Sequence, residues 1–386
     1  MKRRIIAKLA ALSAGLLVLR AWTAAQCTTD WATAATTGPT IRSYLGLSYD
    51  SARQVCLLYG GANNNTLRSD VWEWDGSIWT QRLASGGAGA RRAMALAYDA
   101  AHGRVLSFGG VTSGGINGET WEYDGVANAW TQRAIGATAP SPRGFLAAAY
   151  DSAHQNVVIV GGWGGGFSYY GDTWLWDGSA WTNPQPSASP PPRAFHACAY
   201  DASRGRVVLF GGLLNSTSGS TYYDDTWEWD GTAWEFTTPL TRPPARAYHA
   251  MAYDADRHRV VLFGGFEFSA GTFSDTWEWD GNDWTQITPT QAPSLRQNHA
   301  MTFDAARHET VLFGGQLNST TRNDTWTYAG SGPLGDLTGD GVVNEPDLGV
   351  LLSAWYQSGA GDLDGDGLTS EPDLGILLAN WAQTCP

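Results

Sequence analysis

The sequence predicts an all-β closed ring of six four-stranded units, followed by a small helical tail. Three observations carry this. Gly-Gly pairs recur at Gly60/Gly61, Gly109/Gly110, Gly161/Gly162, Gly211/Gly212, Gly264/Gly265 and Gly314/Gly315, in steps of 49 to 53 residues. A period near 50 marks a closed repeat array. Each of the first five pairs is followed by Asp-Gly and then by a Trp. The sixth repeat lacks that last part, and a matching piece stands at the other end of the chain, around Trp31.

The strands follow in order. In the fifth repeat His249 to Tyr253 alternates large and small side chains, which suits a first strand. Arg259 to Gly265 is a β-branched and aromatic run ended by glycines, a second strand. Asp275 to Trp279 is a third. Asp-Gly at 75/76, 124/125, 177/178, 230/231 and 280/281 signals a hairpin turn. The fourth strands begin at Trp79, Trp130, Trp181, Trp234 and Trp284. Four antiparallel strands, apolar on both faces, fit blades stacked around an axis. The fourth-strand Trp residues lie 12 or 13 residues before Arg91, Arg143, Arg193, Arg246 and Arg296. Trp31 lies 11 before Arg42. This phase predicts that residues 29–34 pair with residues 322–328 and close the ring, which removes exposed sheet edges.

An apolar run, Gly-Gly, an aromatic residue and then Trp resembles the kelch repeat over residues 27–330. The second repeat matches its spacing best, with Gly109-Gly110, Tyr123-Asp124 and Trp130. The resemblance implies a six-bladed kelch-type β-propeller over residues 26–330, closed by an N-terminal strand. Kelch propellers include copper oxidases and iron-dependent specifier proteins. Neither a matching tyrosine-histidine copper set nor a clustered Glu, Asp and His iron motif is present in this sequence. Nor is a G-x-S-x-G nucleophile motif.

Residues 1–25 resemble a secretion signal. Lys2, Arg3, Arg4 and Lys8 precede an apolar run from Leu9 to Leu19, and Ala25 offers a cut before Gln26. The formal charge is −13. Removing five positive charges with the leader takes the mature chain to about −18, with Arg but no Lys. That surface excludes non-specific nucleic-acid binding, which needs phosphate-neutralising cations. No later run is apolar and long enough for a membrane span, so the expectation is a soluble, secreted or cell-surface protein. The four cysteines, Cys27, Cys56, Cys198 and Cys385, have no zinc spacing. Cys56 and Cys198 suit core positions, and a Cys27–Cys385 bridge is left open.

The Arg before each first strand suggests packing or hydrogen bonding repeated six times. The Asp after each first strand (Asp50, Asp99, Asp151, Asp201, Asp254, Asp304) suits a turn cap, with His102, His154, His258 and His308 solvated in the same turns. The connections between strands two and three vary, and those between four and one are long. Antiparallel order puts both sets on one face, where binding usually sits. Trp163, Tyr169, Tyr170, Tyr222, Tyr223, Phe266, Phe268 and Phe273 bring aromatic rings to three neighbouring blades there. Flat aromatic faces beside Ser, Thr and Asn suit a sugar chain. His196, His249 and His299 share one slot in consecutive blades and are candidates for the channel mouth.

The tail differs in kind. Residues 331–386 contain nine carboxylates and no Lys or Arg, and two segments match at a 26-residue offset. Oxygen ligands at loop positions 1, 3, 5, 7, 9 and 12 wrap a hard cation such as Ca2+. In the first loop these are Asp336, Thr338, Asp340, the Val342 carbonyl, Asn344 and Asp347. In the second they are Asp362, Asp364, Asp366, the Leu368 carbonyl, Ser370 and Asp373. An apolar helix follows each loop and none precedes it, a combination that resembles a dockerin module. The resemblance implies a cohesin-like or other scaffold partner through residues 331–386, with Glu345-Pro346 and Glu371-Pro372 at the partner-reading positions. A helix-starting Pro explains those pairs equally well.

The function expected from all this is recognition without catalysis. The propeller binds a polysaccharide or a surface protein, and the calcium-dependent tail attaches it. No catalytic residue is assigned. The competing expectations are an extracellular carbohydrate-active enzyme or oxidase with its site at the channel mouth, and a structural cell-surface protein.

Overall fold

Each repeat folds around its second strand. Val55–Tyr59, Arg104–Phe108, Arg206–Phe210, Arg259–Phe263 and Glu309–Phe313 are buried along almost their whole length. They are β-branched and apolar on both faces because each face packs against a neighbouring blade. The structure is a computed structural model that describes residues 29–35, 37–85, 87–133, 138–330, 343–356, 369–379 and 381. The predicted leader, Cys27 and Cys385 lie outside these residues. So do Asp336, Thr338, Asp340, Val342, Asp362, Asp364, Asp366 and Leu368.

Six antiparallel four-stranded sheets form the propeller. Their innermost strands are Gly46–Asp50, Ala95–Asp99, Ala147–Asp151, Ala197–Asp201, Ala250–Asp254 and Ala300–Asp304. The sixth sheet takes its outermost strand, Thr29–Ala35, from the start of the chain. Trp31 stands opposite Tyr328 and Thr33 opposite Trp326, so the predicted closure is the one observed. A feature beyond the four-strand prediction is an extra small hairpin between strands two and three. It takes the form Ala62–Asn63 with Thr66–Leu67 in the first blade and Leu213–Ser216 with Gly219–Tyr222 in the fourth. In the third blade the hairpin is continuous with the sheet, extending Asn156–Gly165 and Ser168–Trp176.

The blades are joined by repeated polar contacts. Each outer Trp donates its indole N–H to a threonine hydroxyl on the preceding blade: Trp79 to Thr325, Trp181 to Thr120, Trp234 to Thr173, Trp284 to Thr226 and Trp31 to Thr276, at 2.8–2.9 Å. Trp130 is the exception. The matching residue of the first blade is Val71, and the buried Trp130 Nε1 finds no acceptor among the described residues.

The six repeated arginines are all buried, at 0–1% exposure. Five grip an aspartate at the start of the third strand with both terminal nitrogens, as Arg246 does Asp275 at 2.6 and 2.8 Å. Each also donates to the first glycine carbonyl of its repeat, as Arg246 does to Gly264 at 3.0 Å. Arg91 uses Glu119 instead. A third-strand Trp donates to the same carboxylate, as Trp277 does to Asp275 at 2.7 Å. Burial alone would raise the Asp275 carboxyl, but the Arg246 hydrogen bonds and charge bring it below its usual value. The repeated Arg is therefore a structural part. A buried ion pair of this kind holds only because its hydrogen bonds are nearly complete.

The tail is a separate unit of two helices, α1 (Glu345–Ser353) and α2 (Glu371–Ala379). Val343, Leu351 and Leu377 form its buried centre, with Leu348, Trp355 and Leu374 packed against them. Asn344 caps α1 in a reciprocal capping box with Asp347. No helix among the described residues is long and apolar enough to cross a membrane.

Candidate functional site

The loop face of the ring is built on one residue per blade that the sequence does not single out. Tyr44, Ala93, Phe145, Phe195, Tyr248 and Asn298 each follow the buried Arg by two positions. All six have a left-handed backbone, with φ between 56° and 64°. Non-glycine residues pay for that conformation, so something must hold it. A closed circle of hydrogen bonds does. The Tyr44 N–H donates to the Asn298 carbonyl, Asn298 to Tyr248, Tyr248 to Phe195, Phe195 to Phe145, Phe145 to Ala93 and Ala93 to Tyr44, all at 2.7–2.8 Å. This circle ties every blade to the next around the axis.

The same geometry turns four aromatic side chains into one half-buried platform. Phe145 and Phe195 lie 4.4 Å apart between ring centroids, Phe195 and Tyr248 4.4 Å, and Tyr44 and Phe145 5.6 Å. Burial raises the phenol of Tyr44, and raises that of Tyr248 still more, so both stay neutral. Asn298 stands beside the Tyr44 hydroxyl.

Around the platform the hairpins form a rim, and here the predicted aromatic residues divide. Trp163 is 5.9 Å from Phe145, and Phe266 is 6.4 Å from both Tyr248 and Tyr222. Tyr169 accepts a hydrogen bond from Asn215 Nδ2 at 2.9 Å. Phe268 is 83% exposed at a hairpin tip. These residues belong to one surface. Tyr170, Tyr223 and Phe273 do not join it, because they stack on the buried guanidinium groups of Arg143, Arg193 and Arg246 at 3.9–4.0 Å. Tyr170 and Tyr223 thus move from the predicted binding set to the scaffold.

The three histidines are also placed differently from the expectation. His196, His249 and His299 lie one residue inside the hydrogen-bonded circle, each at 6% exposure, not at the open mouth. Each imidazole is wedged against the preceding blade's Gly-Gly pair: a Cβ on Gly161, Gly211 or Gly264 would come within 2.8–3.0 Å of its Cε1. Glycine is needed there for space as well as for its positive φ. His196 Nε2 is 3.1 Å from the Val160 carbonyl. His249 and His299 face the equivalent carbonyls, Phe210 and Phe263, without a hydrogen bond of good geometry. Burial, and secondarily the charges of Arg193 and Arg296, push His196 and His299 down to about 3. His249 falls well below its ordinary range for the same reasons. No group of three or more His, Cys, Asp or Glu side chains able to hold a metal ion occurs among the described residues.

The predicted turn residues behave as caps. Asp50 Oδ1, for example, accepts from the backbone N–H groups of Ala52 and Arg53. His102 and His154 are half-exposed and bond Asp99 and Asp151 at 2.8 Å, so they are partnered rather than merely solvated. Cys56 is buried, and Cys198 lines the central channel.

In the tail, two of the predicted oxygen ligands of each loop are described. Asp347 and Asp373 are fully buried, and one carboxylate oxygen of each is held by the backbone N–H at loop position 9, Asn344 at 2.8 Å and Ser370 at 2.7 Å. The two halves repeat the same arrangement.

A family described as the KLHDC2/KLHL20/DRC7 Kelch-repeats domain matches residues 19–212 and 202–331. The chain belongs to this kelch-repeat family. Among solved structures, one titled "Structure of YjhT" is similar at 15% identity, covering 75% of this chain and 95% of that one, with a TM-score of 0.57. At that identity the likeness concerns the kelch propeller fold alone. No curated protein matches the chain. The kelch match accounts for the blades, and the tail lies almost wholly beyond it.

Proposed function

We propose that this kelch protein is a secreted recognition propeller that binds a glycan chain across the aromatic platform. A dockerin-like, calcium-dependent tail attaches it to a cohesin-like or other scaffold protein. The observation that carries the glycan reading is the platform itself: four half-buried rings in contact, rimmed by Trp163 and Phe266 and bordered by the amides of Asn215 and Asn298. Apolar ring faces with a few fixed polar groups suit the C–H faces and hydroxyls of a sugar. The left-handed circle holds the rings in place before any ligand arrives, which lowers the ordering that binding requires.

Support for the tail comes from the donor set. Every proposed ligand is a hard oxygen, and Asp347 and Asp373, at the closing position of each loop, are buried carboxylates. Asp336, Thr338, Asp340, the Val342 carbonyl, Asn344 and Asp347 would hold one ion. Asp362, Asp364, Asp366, the Leu368 carbonyl, Ser370 and Asp373 would hold the other. Bound calcium would neutralise a strongly acidic segment and stiffen both loops.

Two measurements test these proposals. On a glycan array, wild-type chain should bind a defined polysaccharide class, and the double substitution Trp163→Ala with Phe266→Ala should weaken it about tenfold or more. Binding to no glycan would end the carbohydrate proposal. Chelation should lower helix content and protease resistance of the tail, with recovery on adding Ca2+. A tail indifferent to chelation would end the calcium proposal.

A further inference from the structure

Inside the hydrogen-bonded circle the innermost strands enclose a channel, and one face of each strand turns toward it. Leu47, Leu96, Ala148, Cys198, Met251 and Met301 form an aliphatic and sulfur layer. Two residues further along each strand, Tyr49, Tyr98, Tyr150, Tyr200, Tyr253 and Phe303 form an aromatic collar. The space they line is about 340 Å³. It reaches the exposed turns at Ser51, Ala100 and Ala305, on the face opposite the platform.

The collar's hydroxyls are used elsewhere. Tyr49, Tyr150, Tyr200 and Tyr253 accept hydrogen bonds from Ala306, Ala101, Ala153 and Ser203 in the turn of the preceding blade, at 3.0–3.2 Å. That pins the hydroxyls outward in the turns and leaves ring carbon to line the space. The strand-end carboxylates stand close behind. Burial first, and then Asp304, Asp50 and Asp99, raise the phenols of Tyr49, Tyr98 and Tyr150.

The collar is not electrically uniform. In four blades the strand-end aspartate is paired with an arginine: Arg53, Arg204, Arg257 and Arg307. In the second and third blades the partners are His102 and His154, which carry full charge only when protonated. In the first, fourth and fifth blades the arginine also pairs with a third-strand glutamate, Glu73, Glu228 or Glu278. The third blade contributes Ala148, the smallest side chain of the aliphatic and sulfur layer, so the channel is roomiest there.

We propose that the channel binds a small organic cation of the quaternary-ammonium class. Its head would sit in the aromatic collar on the side of the third blade, where Ala148 leaves room, and its apolar part against the aliphatic and sulfur layer. Electron-rich ring faces attract such cations, and a desolvated site strengthens the attraction. Met and Cys side chains adapt to an irregular apolar body.

Calorimetry on the full chain with choline, and with its neutral isostere 3,3-dimethylbutan-1-ol, tests this. Choline should bind at one site per chain, about tenfold more tightly than the alcohol. Ala148→Trp should fill the channel and abolish binding, with a melting curve showing that the ring still folds. His154→Arg places in the third blade the residue that four other blades already carry, and should weaken choline about threefold or more without touching the alcohol. Equal binding of the two probes, unchanged choline binding by His154→Arg, or no binding at millimolar choline would overturn the proposal.

Discussion

Val71→Thr should stabilise the propeller, because it supplies the one missing partner in a repeated contact. Five outer tryptophans donate to a threonine hydroxyl across a blade boundary. Val71 occupies the same register position, opposite Tyr59 as Thr325 is opposite Phe313. Threonine is nearly the shape of valine, so the change adds a hydroxyl with little repacking. A hydrogen bond of this kind contributes about 1 kcal/mol net, and a buried donor without a partner costs about 1–3 kcal/mol. The expected gain is about 1 kcal/mol, a rise of roughly 1–2 °C in Tm for a domain this large. Denaturant unfolding of wild type, Val71→Thr, Trp130→Phe and the double variant gives the coupling directly. With Phe at 130 the new hydroxyl has no indole to accept from, so the gain should vanish. The converse, Thr226→Val, should strand the Trp284 indole and lose about 1–3 kcal/mol. A Val71→Thr variant no more stable than wild type, with no coupling to Trp130, would refute the claim that these contacts hold blade to blade.

Trp31→Ala should lower stability by about 3–5 kcal/mol in denaturant unfolding, since it empties a buried site and strands Thr276. Arg246→Lys keeps the charge but loses the two-point grip on Asp275 and the stack on Phe273; a loss of about 3 kcal/mol or more should appear in the same assay. The buried histidines set a pH dependence. Their folded pKa values lie far below the unfolded value of about 6.5, so below that pH the unfolded chain takes up protons that the folded chain refuses. Stability should therefore fall as pH drops from about 6.5 toward 3, by on the order of 1 kcal/mol per pH unit for each histidine. His249→Leu, with the residue that the first and third blades carry in this slot, should flatten that fall when unfolding is followed from pH 4 to 7; an unchanged slope would show that His249 is not buried neutral.

Much of the ring was legible because it is written in local spacing. The Gly-Gly period counts the blades, and the phase of Trp31 against Arg42 predicts which end closes them. The Arg could be assigned to the scaffold from its repetition alone, although its partner could not: Asp275 lies 29 residues from Arg246, and only the folded third strand brings them together. The platform was less legible. Tyr44, Phe145, Phe195 and Tyr248 do recur two residues after the Arg, and that aromatic slot is a usable signal. Spacing says nothing, however, of a left-handed backbone or of a hydrogen bond made to a residue some 50 positions away.

The opposite error befell the loop aromatics and the histidines. Residue type and loop position make Tyr170, Tyr223 and Phe273 look like binding residues, but a buried guanidinium needs a π face and takes them. Three polar residues at the start of an inner strand look like mouth residues, but the circle of backbone bonds lies outside them. The sequence by itself determined the number of blades, their closure and the repeated parts, because each depends on a period along the chain. The tertiary structure alone decided which side chains share a surface, because that depends on contacts between blades, where twist and backbone handedness send neighbouring residues to opposite destinations.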